Sequence, residues 1–225
     1  MRKGRQRVSV LFTILTFPVA GVLILPLALL IGKRFLKREC DRLERMLRRT
    51  ADLIDRTNER IGNAVSWLAL LMVLVQTIVV LQRYVFGLSF IWLQESITYM
   101  HGILFMLAAG YTLLRGGHVR VDIFYGEATP TRKALIDFLG TYLFLFPVMF
   151  LILDMAYPYV EMAWRVQEGS VETSGIQGIY LLKAVILLFA SLVLLQGLSL
   201  AIRTALVLTS ASRIEPETEG PAAAF

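Results

Sequence analysis

Apolar residues fall into five long runs, at 8–32, 62–81, 92–114, 134–157 and 179–208. Each reaches or exceeds the roughly 20 residues that a helix needs to cross a bilayer core. Between the first two runs the pattern changes. Leu36, Cys40, Leu43, Leu47, Ile54 and Ile61 recur at spacings built from four and three, with Thr50 and Thr57 at the remaining seam positions, in a stretch otherwise rich in charge. That periodicity predicts an amphipathic helix over 33–61, either lying on headgroups or a partner subunit, or packed on its own neighbours. Pro18 and Pro26 interrupt the first run, which lacks a small-residue cleavage signature at its end. It is therefore expected to stay on the chain and either to span or to dip in and return. The expected fold is an all-α integral membrane protein. Its parts are a basic start with an extra hydrophobic segment (1–32), a cytoplasmic amphipathic helix (33–61), a four-transmembrane-helix core (62–208) and a disordered tail (209–225).

Composition agrees. The chain has 225 residues, 56% of them hydrophobic, too apolar for a soluble domain of this size. The formal net charge of +6 would suit nucleic acid, but its distribution argues for membrane orientation instead. Lys and Arg number ten in 33–61, four in 115–133 and two in 203–225, against one each in 82–91 and 157–176. The positive-inside rule then puts Arg120, Asp122 and the C-terminus in the cytoplasm, and Arg83, Trp92 and the loop around Trp164 outside. Cys40 is the single cysteine, so no intrachain disulfide is available.

The ionisable residues near the ends of the apolar runs are the candidates for function, because charge at such depth calls for a partner inside a protein assembly. Glu95 opens the second core helix, with Arg83 across the turn as its natural partner; a coupling-ion or proton role is the alternative. Asp154 and Lys183 each lie about one turn from the outer ends of their helices as read here, and are expected to pair or to snorkel. The outer loop 158–178, with Trp164, Arg165 and Glu168, is either a solvated connector or a meeting place for a soluble partner. His101 and His118 are the only histidines. A bis-histidine haem would need both at suitable depth, so a haem- or quinone-linked anchor of a respiratory enzyme is the rival reading, and a self-sufficient channel another. No nucleotide loop, zinc-ligand spacing or nucleophile set occurs, so neither an enzyme nor a resident cofactor or metal is expected.

Several stretches together carry a family likeness. They are Gln82-Arg83-Tyr84-Val85-Phe86-Gly87, Trp92-Leu93-Gln94-Glu95, Gly110-Tyr111-Thr112-Leu113 and His118-Val119-Arg120-Val121-Asp122. In this order, over roughly 50–208, they resemble the small membrane subunit of tripartite ATP-independent periplasmic (TRAP) transporters. Asn58-Glu59-Arg60-Ile61-Gly62, Trp164-Arg165 with 170–175, and Leu182-Lys183-Ala184 look like the branch associated with mannitol, chloroaromatic and other carboxylate-type substrates. The resemblance implies an inner-membrane accessory subunit that braces a large permease subunit. That system would take up organic acids, delivered by a periplasmic binding protein, on a sodium or proton gradient. Arg83, Trp92 and Glu95 would then mark the outer end of the subunit interface, and Arg120 and Asp122 its cytoplasmic end. The family's core does not require the first fifty residues.

Overall fold

The computed structural model describes residues 37–118 and 125–211. Every extended element among them is helical. Helix α1 covers Lys37–Val85, α2 covers Ile91–Leu114, α3 runs over Pro130–Arg165, and α4 covers Ile179–Ala211. All four contain stretches long and apolar enough to cross a membrane. The hydrophobic segment 8–32, Arg120, Asp122 and the tail beyond Ala211 lie outside the described residues.

The amphipathic helix and the first core helix expected from the sequence are one uninterrupted α1 of 49 residues, about 73 Å at 1.5 Å per residue. Nothing breaks it at the expected boundary, because 58–66 contains no proline and its one glycine, Gly62, is tolerated where another helix packs closely. The buried positions of its first half are Leu47, Ala51, Ile54 and Asn58. Thr50 and Thr57 face outward and bond back to the carbonyls of Met46 and Leu53. The apolar stripe thus faces the protein's own core. Leu47, Ala51 and Ile54 cluster with Phe146 of α3 and with Leu194, Leu198, Ala201, Ile202 and Leu206 of α4.

Helix α4 is the central post. It touches all three other helices. In its most apolar 18-residue window 56% of positions are buried, against 6% in α1 and α2 and 17% in α3. The outer three helices therefore present most of their apolar surface to whatever surrounds the chain.

Helix α3 departs most from the sequence expectation, which ended it at 157. Pro147 has no N–H to return to the carbonyl four residues back, and around it the helix widens into a π-helical segment, Thr141–Leu145, where the Phe146 N–H reaches the Thr141 carbonyl. The expected outer loop begins at Pro158. Membrane helices tolerate proline where the surroundings allow, and α3 continues to Arg165. It closes there in a Schellman motif, with Glu168 N–H on the Ala163 carbonyl (3.0 Å) and Gln167 N–H on that of Trp164 (3.4 Å). Gln167 takes the left-handed position (φ +49°) that glycine usually fills, and its side-chain amide donates to the Trp164 carbonyl at 2.9 Å. Helix α2 closes in the same way with Gly116 at φ +64°.

Small residues set the helix spacing. Gly62 on α1 lies against the Tyr111 ring, and Gly110 on α2 lies against the Asn58 side chain, with the Leu192 carbonyl of α4 3.3 Å from where a Cβ would stand. Gly110 is thus the point where three helices meet. Gly110→Val should cost about 1–3 kcal/mol through overpacking. It should lower the thermal unfolding midpoint in detergent by several degrees, whereas Gly140→Ala, which meets open space, should not. Equal midpoints for both variants would contradict the close approach.

Candidate functional site: the two polar rims of the bundle

At the end that the charge distribution assigns to the cytoplasm, here the inner end, α1 and α4 run antiparallel and are laced by a polar ladder. Asp55 is its hub. One carboxylate oxygen accepts from the Ser199 hydroxyl (2.6 Å) and the Gln196 amide (2.9 Å), and the other from the Arg203 guanidinium (2.5 and 3.0 Å). Arg203 also reaches Asp52 at 2.9 Å. Gln196 accepts in turn from the Asn58 amide at 2.9 Å. Asn58, Gln196 and Ser199 are buried at 1%, 3% and 0% exposure, so these bonds replace water that cannot reach them. One acceptor, Asn58 Oδ1, is buried without a donor beside Gly110. Close by, Arg115 at the end of α2 pairs with Glu59 and lies over the Tyr111 ring at 5.4 Å.

None of this ladder was identified from the sequence. The signal was present in two stripes. Asp52, Asp55 and Asn58 or Glu59 share one face of α1, and Gln196, Ser199 and Arg203 interrupt an apolar run at the same three-to-four spacing. What the sequence lacks is the register between helices that are about 140 residues apart.

At the outer end the expected pairings change. Glu95 does not pair with Arg83, which is exposed. Helix α2 begins at Ile91, so Glu95 falls in the second turn rather than the first, and its carboxylate faces the connection between α3 and α4. There it accepts from the Ser170 hydroxyl and from the Ile176 N–H (2.6 Å), while the Tyr99 hydroxyl donates to the Ile176 carbonyl at 3.3 Å. Lys183 does not pair with Asp154. Its ammonium bonds both carboxylate oxygens of Glu168 (2.7 and 2.5 Å) and lies 4.1 Å from the Tyr159 ring centroid. The reason is the extra length of α3, which carries Asp154 away from the outer end and brings the start of the connection over Lys183.

The outer connection is accordingly held against the bundle. Trp164 and Arg165, expected in a loop, are the last residues of α3. Trp164 packs edge-on against Tyr180 with ring centroids 5.0 Å apart, and Arg165 pairs with Glu161 one turn back at 2.5 Å. Trp92 and Arg83 stay exposed at this end, as does the tip of the connection, where Val171 is 97% exposed. His101 is exposed within α2 and stacks on Phe105, while His118 lies 17 residues further on, beyond the helix end. At about 1.5 Å per residue over that helix, the two are too far apart to share an iron. Among the described residues no cluster of three or more metal-ligating side chains occurs.

Two outcomes test this geometry. Arg203→Leu removes the cation facing Asp55; because the pair is partly exposed, the cost should be on the order of 1–3 kcal/mol. Adding Asp55→Leu should recover part of that loss in a double-mutant cycle of thermal stability, and strict additivity would show that the two do not interact. Lys183→Met should speed proteolytic cleavage at 171–174 in the purified chain. Asp154→Asn should leave that cleavage unchanged, and the opposite ranking would restore the pairing expected from the sequence.

The described residues therefore present two polar rims, largely paired within the chain, joined by mainly apolar helices without a continuous polar path between them. The model of the DctQ component of tripartite ATP-independent periplasmic transporters matches residues 72–207, which includes the end of α1, all of α2 and α3, and most of α4. No curated protein and no solved structure matches the chain. That family is a transporter component rather than an enzyme family, and it accords with a multi-pass protein of the inner membrane. With its four apolar helices and more than half its length matched, the chain belongs to the DctQ family, the small membrane component of TRAP transporters.

Proposed function

We propose that this chain is the non-catalytic brace of a TRAP transporter. In that reading it holds the fixed part of the large permease subunit in the bilayer while the moving part carries organic acids inward on an ion gradient, after delivery by a periplasmic binding protein. One observation carries the reading: the polar groups that the bundle buries or pairs are concentrated at its two ends, while three of its four helices bury little of their apolar surface. A transport pathway would instead need polar groups near the midplane, facing a cavity. A brace needs rigidity and a wide apolar flank. The carboxylate branch suggested by the resemblance is part of the same proposal, as is a cytoplasmic C-terminus.

The residue assignments follow from exposure. Arg83 and Trp92 stand free at the outer end and are assigned to the rim of the subunit interface. Arg120 and Asp122 are assigned to its cytoplasmic end on the sequence argument alone. Glu95 acts indirectly, by holding the outer connection so that Trp164, Arg165 and the exposed tip are presented to the binding protein. Glu168 supports the same surface through Lys183.

Co-expression with the large component and affinity purification in mild detergent test this directly. The wild-type chain should retain the large component, and the combined Arg83→Ala, Trp92→Ala and Arg120→Ala variant should retain less. The chain alone in liposomes should move no organic acid. Unaided transport, or purification without any companion, would end the proposal.

A further inference from the structure

The continuation of α3 to Arg165 moves Asp154 from a helix end to a position inside the apolar span. It lies eleven residues before Arg165, about 16 Å below the outer end of the helix. Tyr159, level with the Lys183–Glu168 pair of the outer rim, lies five residues above Asp154, which therefore stands about 7 Å inside that rim, within the apolar span. Phe146, beside Gly197 well down α4, marks the deeper level on the other side.

Asp154 points away from the bundle. It is exposed and makes no hydrogen bond or ion pair with any described residue. Leu151 and Met162, both exposed, lie on the same face of α3, and the exposed Met155 stands next to Asp154. A second acceptor coincides with the first. Pro158, four residues on, has no N–H for the Asp154 backbone carbonyl, so the main chain at this position lacks its ordinary helical donor beside the unpaired carboxylate. In hydrocarbon, such a pair of unsatisfied acceptors is costly and marks a place where another protein group belongs.

No cation among the described residues is paired with it. Lys183 is bonded to Glu168, Arg203 to Asp52 and Asp55, Arg115 to Glu59, and Arg165 to Glu161. The extra apolar run 8–32 has no Lys, Arg or His anywhere along it. Charge complementarity therefore asks for a basic side chain from a second polypeptide. The geometry points to the Asp154 face of α3 as a seam with the large permease component inside the membrane, occupied by a transmembrane helix of that component carrying a lysine or arginine level with Asp154. This rests on the brace reading and adds a contact at a depth where the rim residues do not reach. The apolar residues on either side of Asp154 pack against that helix and exclude lipid, and the basic group reaches the carboxylate and the free carbonyl together.

The experiment uses the full chain co-expressed with the large component. Asp154→Leu and Asp154→Asn should each lower recovery of the large component about tenfold or more, because either leaves a buried cation unpaired. The unfolding midpoint of the chain alone should not fall. A photo-crosslinking residue at Met155 should label a peptide of the large component that contains a lysine or arginine, and exchanging that residue for aspartate together with Asp154→Arg should restore recovery. Wild-type recovery with Asp154→Leu, or labelling only of lipid or of residues 8–32 of the chain itself, overturns the seam and leaves the brace reading standing. Recovery kept with Asn and lost with Leu overturns the charge pairing, since a neutral hydrogen-bonding group would then suffice. If the wild-type chain retains no large component, both the brace reading and the seam fall.

Discussion

A carboxylate at the edge of an apolar bundle must be met by donors, and Asp55 is met entirely from one helix. Ser199, Gln196 and Arg203 sit at successive turns of α4, so satisfying Asp55 fixes both the distance between α1 and α4 and their register along the membrane normal. A shift of α1 by one turn would withdraw the carboxylate from all three and leave it in low dielectric without compensation. Asn58 and Gln196 extend the constraint one turn toward the bilayer, where their exclusion from water makes the bond between them harder to give up. Helix α2 is then positioned from α1, by Gly62 against Tyr111 and by Glu59 on Arg115.

The outer end applies the same logic to a connection instead of a helix pair. Glu95 takes a backbone N–H and a hydroxyl from the segment between α3 and α4, and Lys183 takes a carboxylate from it. Together they fold that segment over the helix ends. Both ends of the bundle are thus tied by groups that cannot move independently, while the surfaces between them are mainly apolar, with Asp154 as a charged exception. For a subunit whose family assembles with other transporter components, this division suits a body that is rigid in itself and adhesive along its flanks.

The two prolines of α3 show how local rules depend on their surroundings. In water, each would be expected to end or sharply bend a helix. Inside a bundle, Pro147 is absorbed by widening one turn into a π-helical segment, and Pro158 is carried through, because leaving the helix at that depth would expose several unpaired backbone groups rather than one. The continuation past Pro158 relocates Trp164 and Arg165 from loop to helix and Asp154 from the rim to a position about 7 Å inside it. It also gives Lys183 a different partner from the one its sequence position suggests.

What the sequence determined by itself was the class and the crossings. Apolar runs of bilayer length and a lopsided distribution of Lys and Arg are one-dimensional properties, and α2 and α4 fall within one to three residues of the expected spans. The ordered motifs between residues 82 and 122 likewise belong to the chain alone, and with them the family. The tertiary structure decided which residue meets which. Asp55 with Arg203, Glu95 with Ile176 and Lys183 with Glu168 depend on helix register and on the path of a connection, and a periodic pattern specifies the face of a helix without specifying its height against its neighbours. Height is set only when buried polar groups, small residues and prolines on several helices are satisfied together, and that condition exists only in three dimensions.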